Sequence, residues 1–235
     1  FHVDAVQAAG KIPLKVKDSP VDLLTISGHK FHAPKGIGAL YVRRGIAFPP
    51  FIIGGHQEKN RRAGTENVAG IVGMGEAAEL AQRNLGEQSE RIRSLRDRLE
   101  EELLRSCPDC RVNGGASERL PNTSNISFRY LEGESVLVLL DQFGICASTG
   151  SACTAGSSEP SHVLRAMGVA PDWLQGAVRF SLSRFNTAEE VSYVNEKVPL
   201  IVQRLQGLSA LGKLAGQQRA QQEKPRAGNG IGVRG

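Results

Sequence analysis

From Ala77 onward the apolar residues fall on a 3.6-residue period. Leu85, Ile92, Leu95, Leu99 and Leu103 share one face, while Arg91, Arg93, Asp97, Arg98, Glu101 and Glu102 lie largely on the other. The pattern predicts a long amphipathic helix that ends before Cys107-Pro108, and it divides the chain. Ahead of it, short aliphatic runs (Val21 to Ile26, Gly38 to Val42, then a glycine-rich apolar stretch from Val68 to Leu80) alternate with glycine-rich turns, which reads as α/β. Behind it the order is strand (Ser124 to Phe128), helix (Glu134 to Phe143), strand (Ile145 to Ser148), helix (Pro160 to Met167) and strand (Ala177 to Ser183), a smaller α+β domain. Thr187 with Glu190 three residues later makes a capping box for a final helix running towards Gln203, kinked at Pro199. The expected organisation is 1–85, 86–205 and a disordered basic tail over 206–235.

Charge and cysteine content narrow the function class. Residues 206–235 contribute +4 of the formal +5, so the body is nearly neutral and offers no electrostatic footprint for a nucleic acid. No apolar run approaches the ~18 residues of a membrane span, and no signal peptide is visible. Four cysteines in a chain with 40% hydrophobic residues do not act as staples for a small core, so a reducing, cytoplasmic setting fits.

Chemistry concentrates where Val21 to Ile26 ends, in Ser27-Gly28-His29-Lys30. Strand ends in α/β folds are where ligands sit, and a lysine there can bond covalently to a carbonyl cofactor while a hydroxyl and an imidazole hold a phosphate. Taken alone, the pattern fits a solvated surface lysine better than a cofactor lysine. Asp4-x-x-Gln7 lies at another apparent strand end one α/β unit upstream. A carboxylate against a pyridine nitrogen keeps the ring protonated and electron-withdrawing.

Five ordered blocks carry a family resemblance: Phe1 to Lys11, Ser27 to Lys30, Arg61-Arg-Ala-Gly-Thr-Glu-Asn67, Ser148-Thr-Gly-Ser-Ala-Cys-Thr154 leading into Glu159 to Leu164, and Arg179 to Arg184. Together they resemble cysteine desulfurases of the NifS/IscS type, in the class V aminotransferase family, over residues 1 to about 203. The resemblance implies a fold-type I pyridoxal phosphate enzyme, here part of the large-domain sheet plus a smaller α+β C-terminal domain. It implies conversion of L-cysteine to L-alanine, with a persulfide left on the protein. Lys30 would hold the cofactor covalently and later move protons, Asp4 would pair with the pyridinium, and Gln7 would meet the ring hydroxyl. Ser27, Gly28 and His29 would bind the phosphate. Thr65 would reach the phosphate of the partner subunit's cofactor, implying a homodimer, and Arg179 would hold the substrate carboxylate. Cys153, in a Gly/Ser/Thr-rich loop, would accept the sulfur and serve as a transient iron-sulfur ligand. The longer form of that loop points to transfer to an iron-sulfur scaffold or another sulfur-acceptor protein. The resemblance further implies that the chain is the C-terminal portion of the family fold, lacking the ring-stacking histidine, the first phosphate-binding turn and the asparagine beside the ring, and so inactive alone. The tail departs from the family's pattern, which removes the usual support for scaffold docking.

Other signals are weaker. Cys107-Pro-Asp-Cys110 is a lone CxxC with no second pair at ribbon spacing, and reads as a loop with free thiols rather than a zinc or redox site. His29-x-x-His32 falls inside the lysine block, where cofactor contact outweighs a metal pair; His56 and His162 read as ordinary histidines and His2 stays open. Two alternatives remain: a selenocysteine lyase or other class V enzyme, and a non-catalytic, partner-binding pseudoenzyme.

Overall fold

In the computed structural model, residues 1–150 and 160–208 are described, and the chain divides into two compact units: residues 1–93 with 120–122, and 94–119 with 123 onward. In the first, β1 (His2–Asp4) runs parallel to β2 (Leu23–Ser27), with Asp4 level with Thr25, and β3 (Gly38–Val42) pairs antiparallel to β2. The chain leaves β2 through a 3-10 turn, Gly28–Phe31, closed by His32 in the left-handed region. Phe31 anchors that turn in a buried cluster with Ala9, Ala33 and Ala77. A second cluster, Ala5, Val21 and Leu24, fastens the segment after β1 to β2. Ala77 comes from α2 (Val68–Arg83), whose N-cap Asn67 accepts a hydrogen bond from Gly70 N at 3.0 Å. A single turn, α1 (Gln57–Asn60), precedes it, with Glu58, Lys59 and Asn60 all at positive φ.

The amphipathic stretch is two helices, not one. α2 already begins at Val68, and the chain leaves helical geometry at Asn84 (φ −115°, ψ 14°) before α3 (Leu85–Ser106) starts. The break falls where α2, which buries Gly70 and Ala77, gives way to α3, which buries Ile92, Leu95, Leu99 and Leu103.

The second unit is built on an antiparallel sheet in the order β4 (Cys110–Val112), β5 (Thr123–Phe128), β6 (Ala177–Ser181). Ile126 and Phe128 on the central strand are fully buried. So are Leu103 of α3, Val136 and Leu140 of α4 (Gly133–Gln142) and Val198 of α7 (Ala188–Leu208). Each such side chain stabilises the fold by about 1.5–3 kcal/mol through loss of apolar surface to water. Asn113 uses its amide group twice, donating to Asn125 Oδ1 and to the buried Ser127 Oγ, both at 2.7 Å. Arg119 grips Glu100 through two parallel bonds of 2.6 Å. α5 (His162–Ala166) and α6 (Pro171–Leu174) complete the described elements.

Several sequence expectations change. Ile145 to Ser148 is no strand: among the described residues a single antiparallel bridge joins Ser148 to Arg179 on the edge of β6 away from β5. The helix expected over 160–167 shortens to His162–Ala166. β4 is an addition, too short to show alternation in the sequence. The final helix continues through Pro199 to Leu208, because packing of Val198, Ile201 and Val202 holds it on both sides of the missing N–H. The capping box forms as expected: Glu190 N donates to Thr187 Oγ1 at 3.3 Å and Thr187 N to Glu190 Oε2 at 3.1 Å. Cys153 and most of the 206–235 tail lie outside the described residues.

Candidate active site

Because β1 and β2 are parallel neighbours, the segments leaving both strands emerge at the same edge of the sheet. Asp4 closes β1, and Ser27-Gly28-His29-Lys30 closes β2 and opens the 3-10 turn. The carboxyl edge of parallel strands is the usual ligand position in α/β sheets. Asp4 is exposed, with Oδ1 fixed by the amide of Val6 at 2.9 Å. One oxygen is thereby oriented and the other left for a ligand. Gln7, one turn further on, is also exposed.

Ser27 Oγ lies 2.9 Å from His29 Nδ1. With the hydroxyl donating to Nδ1, the exposed imidazole keeps Nε2–H as a donor for an anion. Gly28 is buried, and its amide donates to Ile37 O at 2.9 Å. A Cβ there would stand 3.0 Å from both Ala33 Cβ and Ile37 Cγ2, so only glycine lets the turn fold this closely under the lysine. Lys30 is half-buried, its backbone carbonyl accepting a hydrogen bond from Lys11 Nζ at 3.2 Å. Burial first, and the charge of Lys30 second, hold the Lys11 ammonium below its ordinary pKa. Lys11 stands in the first sequence block, but nothing local marks its role, since its partner is 19 residues away.

The donor set fits pyridoxal phosphate: an amine for the aldehyde, an oriented carboxylate for the ring nitrogen, and a hydroxyl–imidazole pair for the phosphate. Thr65 is exposed in the segment before α2. Arg179 sits in the second unit, on β6, in register with Asn125. Ser148 and Arg179 exchange both main-chain hydrogen bonds, and the Arg179 Nε is buried without a hydrogen-bond partner. A buried guanidinium N–H without an acceptor costs about 1–3 kcal/mol. Cys107 is buried and Cys110 half-buried, in a turn where Cys110 N donates to Cys107 O at 3.2 Å. A hydrogen bond from Cys110 is the main cause that lowers the Cys107 pKa, and the same bond pushes Cys110 up. Among the described residues no group of three or more metal-ligating side chains converges, and no helix is long and apolar enough to cross a membrane.

Comparison with known proteins places this arrangement. Residues 1–194 match the family model "Aminotransferase class-V". A cysteine desulfurase of Trichormus azollae is 62% identical over 209 residues, 89% of this chain and 52% of the relative. Cysteine desulfurase NifS of Azotobacter vinelandii is 53% identical over the same shares. Among solved structures, one titled as a NifS-like protein superposes with a TM-score of 0.78 at 40% identity, covering 87% of this chain and 52% of that one. A NifS-like protein from Rickettsia africae gives 0.77 at 36%, covering 86% and 53%. The chain thus spans about half the length of the relatives it matches. With a family model matched over most of its length and the α/β architecture of fold-type I enzymes, the chain belongs to the class V aminotransferase family.

Proposed function

We propose that this chain supplies the lysine, part of the pyridoxal phosphate cradle and the sulfur acceptor of a cysteine desulfurase. The observation that carries the reading is the placement of Asp4 and Lys30 after adjacent parallel strands, with the Asp4 carboxylate already oriented by Val6 N. Bound at this edge, pyridoxal phosphate supplies an electron-withdrawing ring that stabilises negative charge developing next to the substrate's amino group. Lys30 would hold the cofactor through its ε-amine, and its Nζ would carry protons during the reaction. Asp4 keeps the ring nitrogen protonated, Gln7 meets the ring oxygen, and Ser27 and His29 hold the phosphate at the turn whose close fold Gly28 permits. Arg179 pairs with the carboxylate of L-cysteine through its guanidinium.

In the net step the C–S bond of L-cysteine and one S–H bond break while an S–S bond forms on Cys153 and a C–H bond forms at the substrate β-carbon, giving L-alanine and a Cys153 persulfide that keeps the other thiol hydrogen. The persulfide then passes to an iron-sulfur scaffold or another acceptor protein, Cys153 serving as a transient ligand to a cluster in transit. Thr65 contacts the phosphate of a second copy's cofactor. The exposed Phe51 (98%) and Ile53 (87%), joined to this segment through the Ala63 N to Ile52 O bond, give the apolar surface that supports such a homodimer.

The test is alanine formation from L-cysteine by the whole protein. Lys30→Ala abolishes it, whereas Cys153→Ser loses the protein persulfide, read by mass. Continued turnover by the Lys30→Ala protein sinks the assignment.

A further inference from the structure

We propose that Lys11 is a positioning residue for Lys30, tying the lysine turn to helix α3. The proposal rests on the reading of Lys30 as the cofactor lysine. It deepens that reading by naming what holds the main chain of the lysine turn at the Lys30 carbonyl.

The geometry runs through three residues of the first unit. Ser89 Oγ, on α3, donates to Lys11 O at 2.5 Å, and Lys11 Nζ donates to Lys30 O at 3.2 Å. Lys11 N is itself held by Ala8 O at 3.0 Å. Gly10 makes the approach possible. It lies at φ 71°, and a Cβ on it would fall 2.8 Å from Phe31 Cβ, so any side chain would push the Lys11 segment off the turn. The carbonyl of a residue in so short a turn has no i+4 helical donor, and an ammonium is the strong donor that replaces it. The charged group facing the Lys11 ammonium is Lys30; the residue of α3 that touches the segment, Ser89, is neutral. A half-buried ammonium beside a second one costs free energy, which is offset only if the contact does something for the turn. A solvent-facing lysine would carry neither cost.

Two readouts separate this from a general structural role. In the first, amine acetylation of the whole protein is followed across pH and mapped by peptide mass. Lys11 is expected to reach half-labelling at lower pH than the exposed Lys35, and Lys30→Met is expected to move that midpoint up. In the second, the protein is loaded with pyridoxal phosphate and fixed with borohydride. Lys11→Met is expected to lower the fixed yield at Lys30 several-fold with unchanged circular dichroism, and Lys11→Arg, which keeps charge and donor, to restore it. Lys11→Gln serves as a second neutral variant should the methionine protein not fold. A Lys11 midpoint indifferent to Lys30→Met overturns the proposal, as do equal yields in the Lys11→Met and Lys11→Arg proteins when the unaltered protein takes cofactor. Should the unaltered protein fix none at Lys30, the desulfurase reading fails, while the Lys11 midpoint still decides the pairing.

Discussion

Arg179 carries, among the described residues, a buried side-chain N–H that has no hydrogen-bond partner. Its main chain is tied to Ser148 and Asn125 by sheet pairing, while its Nε is buried and has no acceptor. A guanidinium fork matches a planar carboxylate, the role proposed for Arg179, and lysine reproduces the charge but not the fork. Arg179→Lys in the whole protein is therefore expected to raise KM for L-cysteine with a smaller change in kcat, checked by steady-state alanine formation. An unchanged KM would remove the substrate role. Asp4 has a comparable logic. One oxygen is spent on Val6 N, so the group is oriented before any ligand arrives, and preorganisation of that kind lowers the entropic cost of binding.

At the scale of elements, the start of α7 gives a sharp test. Asn186 Nδ2 and Thr187 N both donate to Glu190 Oε2, and these bonds, led by Asn186, hold its carboxyl below the ordinary carboxylate range. A depressed folded-state pKa means a contribution fully present above the unfolded value and lost as pH falls through the lowered folded one. Glu190→Gln keeps the box's geometry and is expected to remove that acid-range loss, seen in denaturant unfolding across pH. Thr187→Ala is expected to cost about 1 kcal/mol at all pH values through the lost cap. The box is readable in the sequence because its signal is local, two side chains three residues apart. Periodicity likewise gives α4, β5 to within a residue and the body of α3, since each buries its own apolar stripe, whereas β3 lies at its expected bounds but is at most half-buried. The features that escape the sequence depend on distant partners. The break at Asn84 falls between two helices that bury different residues, Ser148 alone of Ile145 to Ser148 forms a bridge, with Arg179, among the described residues, and α7 passes Pro199 on the strength of tertiary packing.

For the whole molecule, the proposed roles are distributed over both units: Asp4, Gln7, Ser27, His29, Lys30 and Thr65 in the first, Arg179 in the second. The blocks that identify the family are legible because each is contiguous, whereas the Ser89–Lys11–Lys30 chain is not, being assembled from three separate segments. On this account, the edge formed by β1 and β2 binds pyridoxal phosphate on Lys30. The measurement that tests it most directly is incubation of the whole protein with pyridoxal phosphate, borohydride reduction and mapping of the modified peptide by mass. A single principal adduct on Lys30, sharply reduced by Asp4→Ala, is the expected result. Adducts spread over exposed lysines such as Lys35, with Lys30 unmodified, would contradict it.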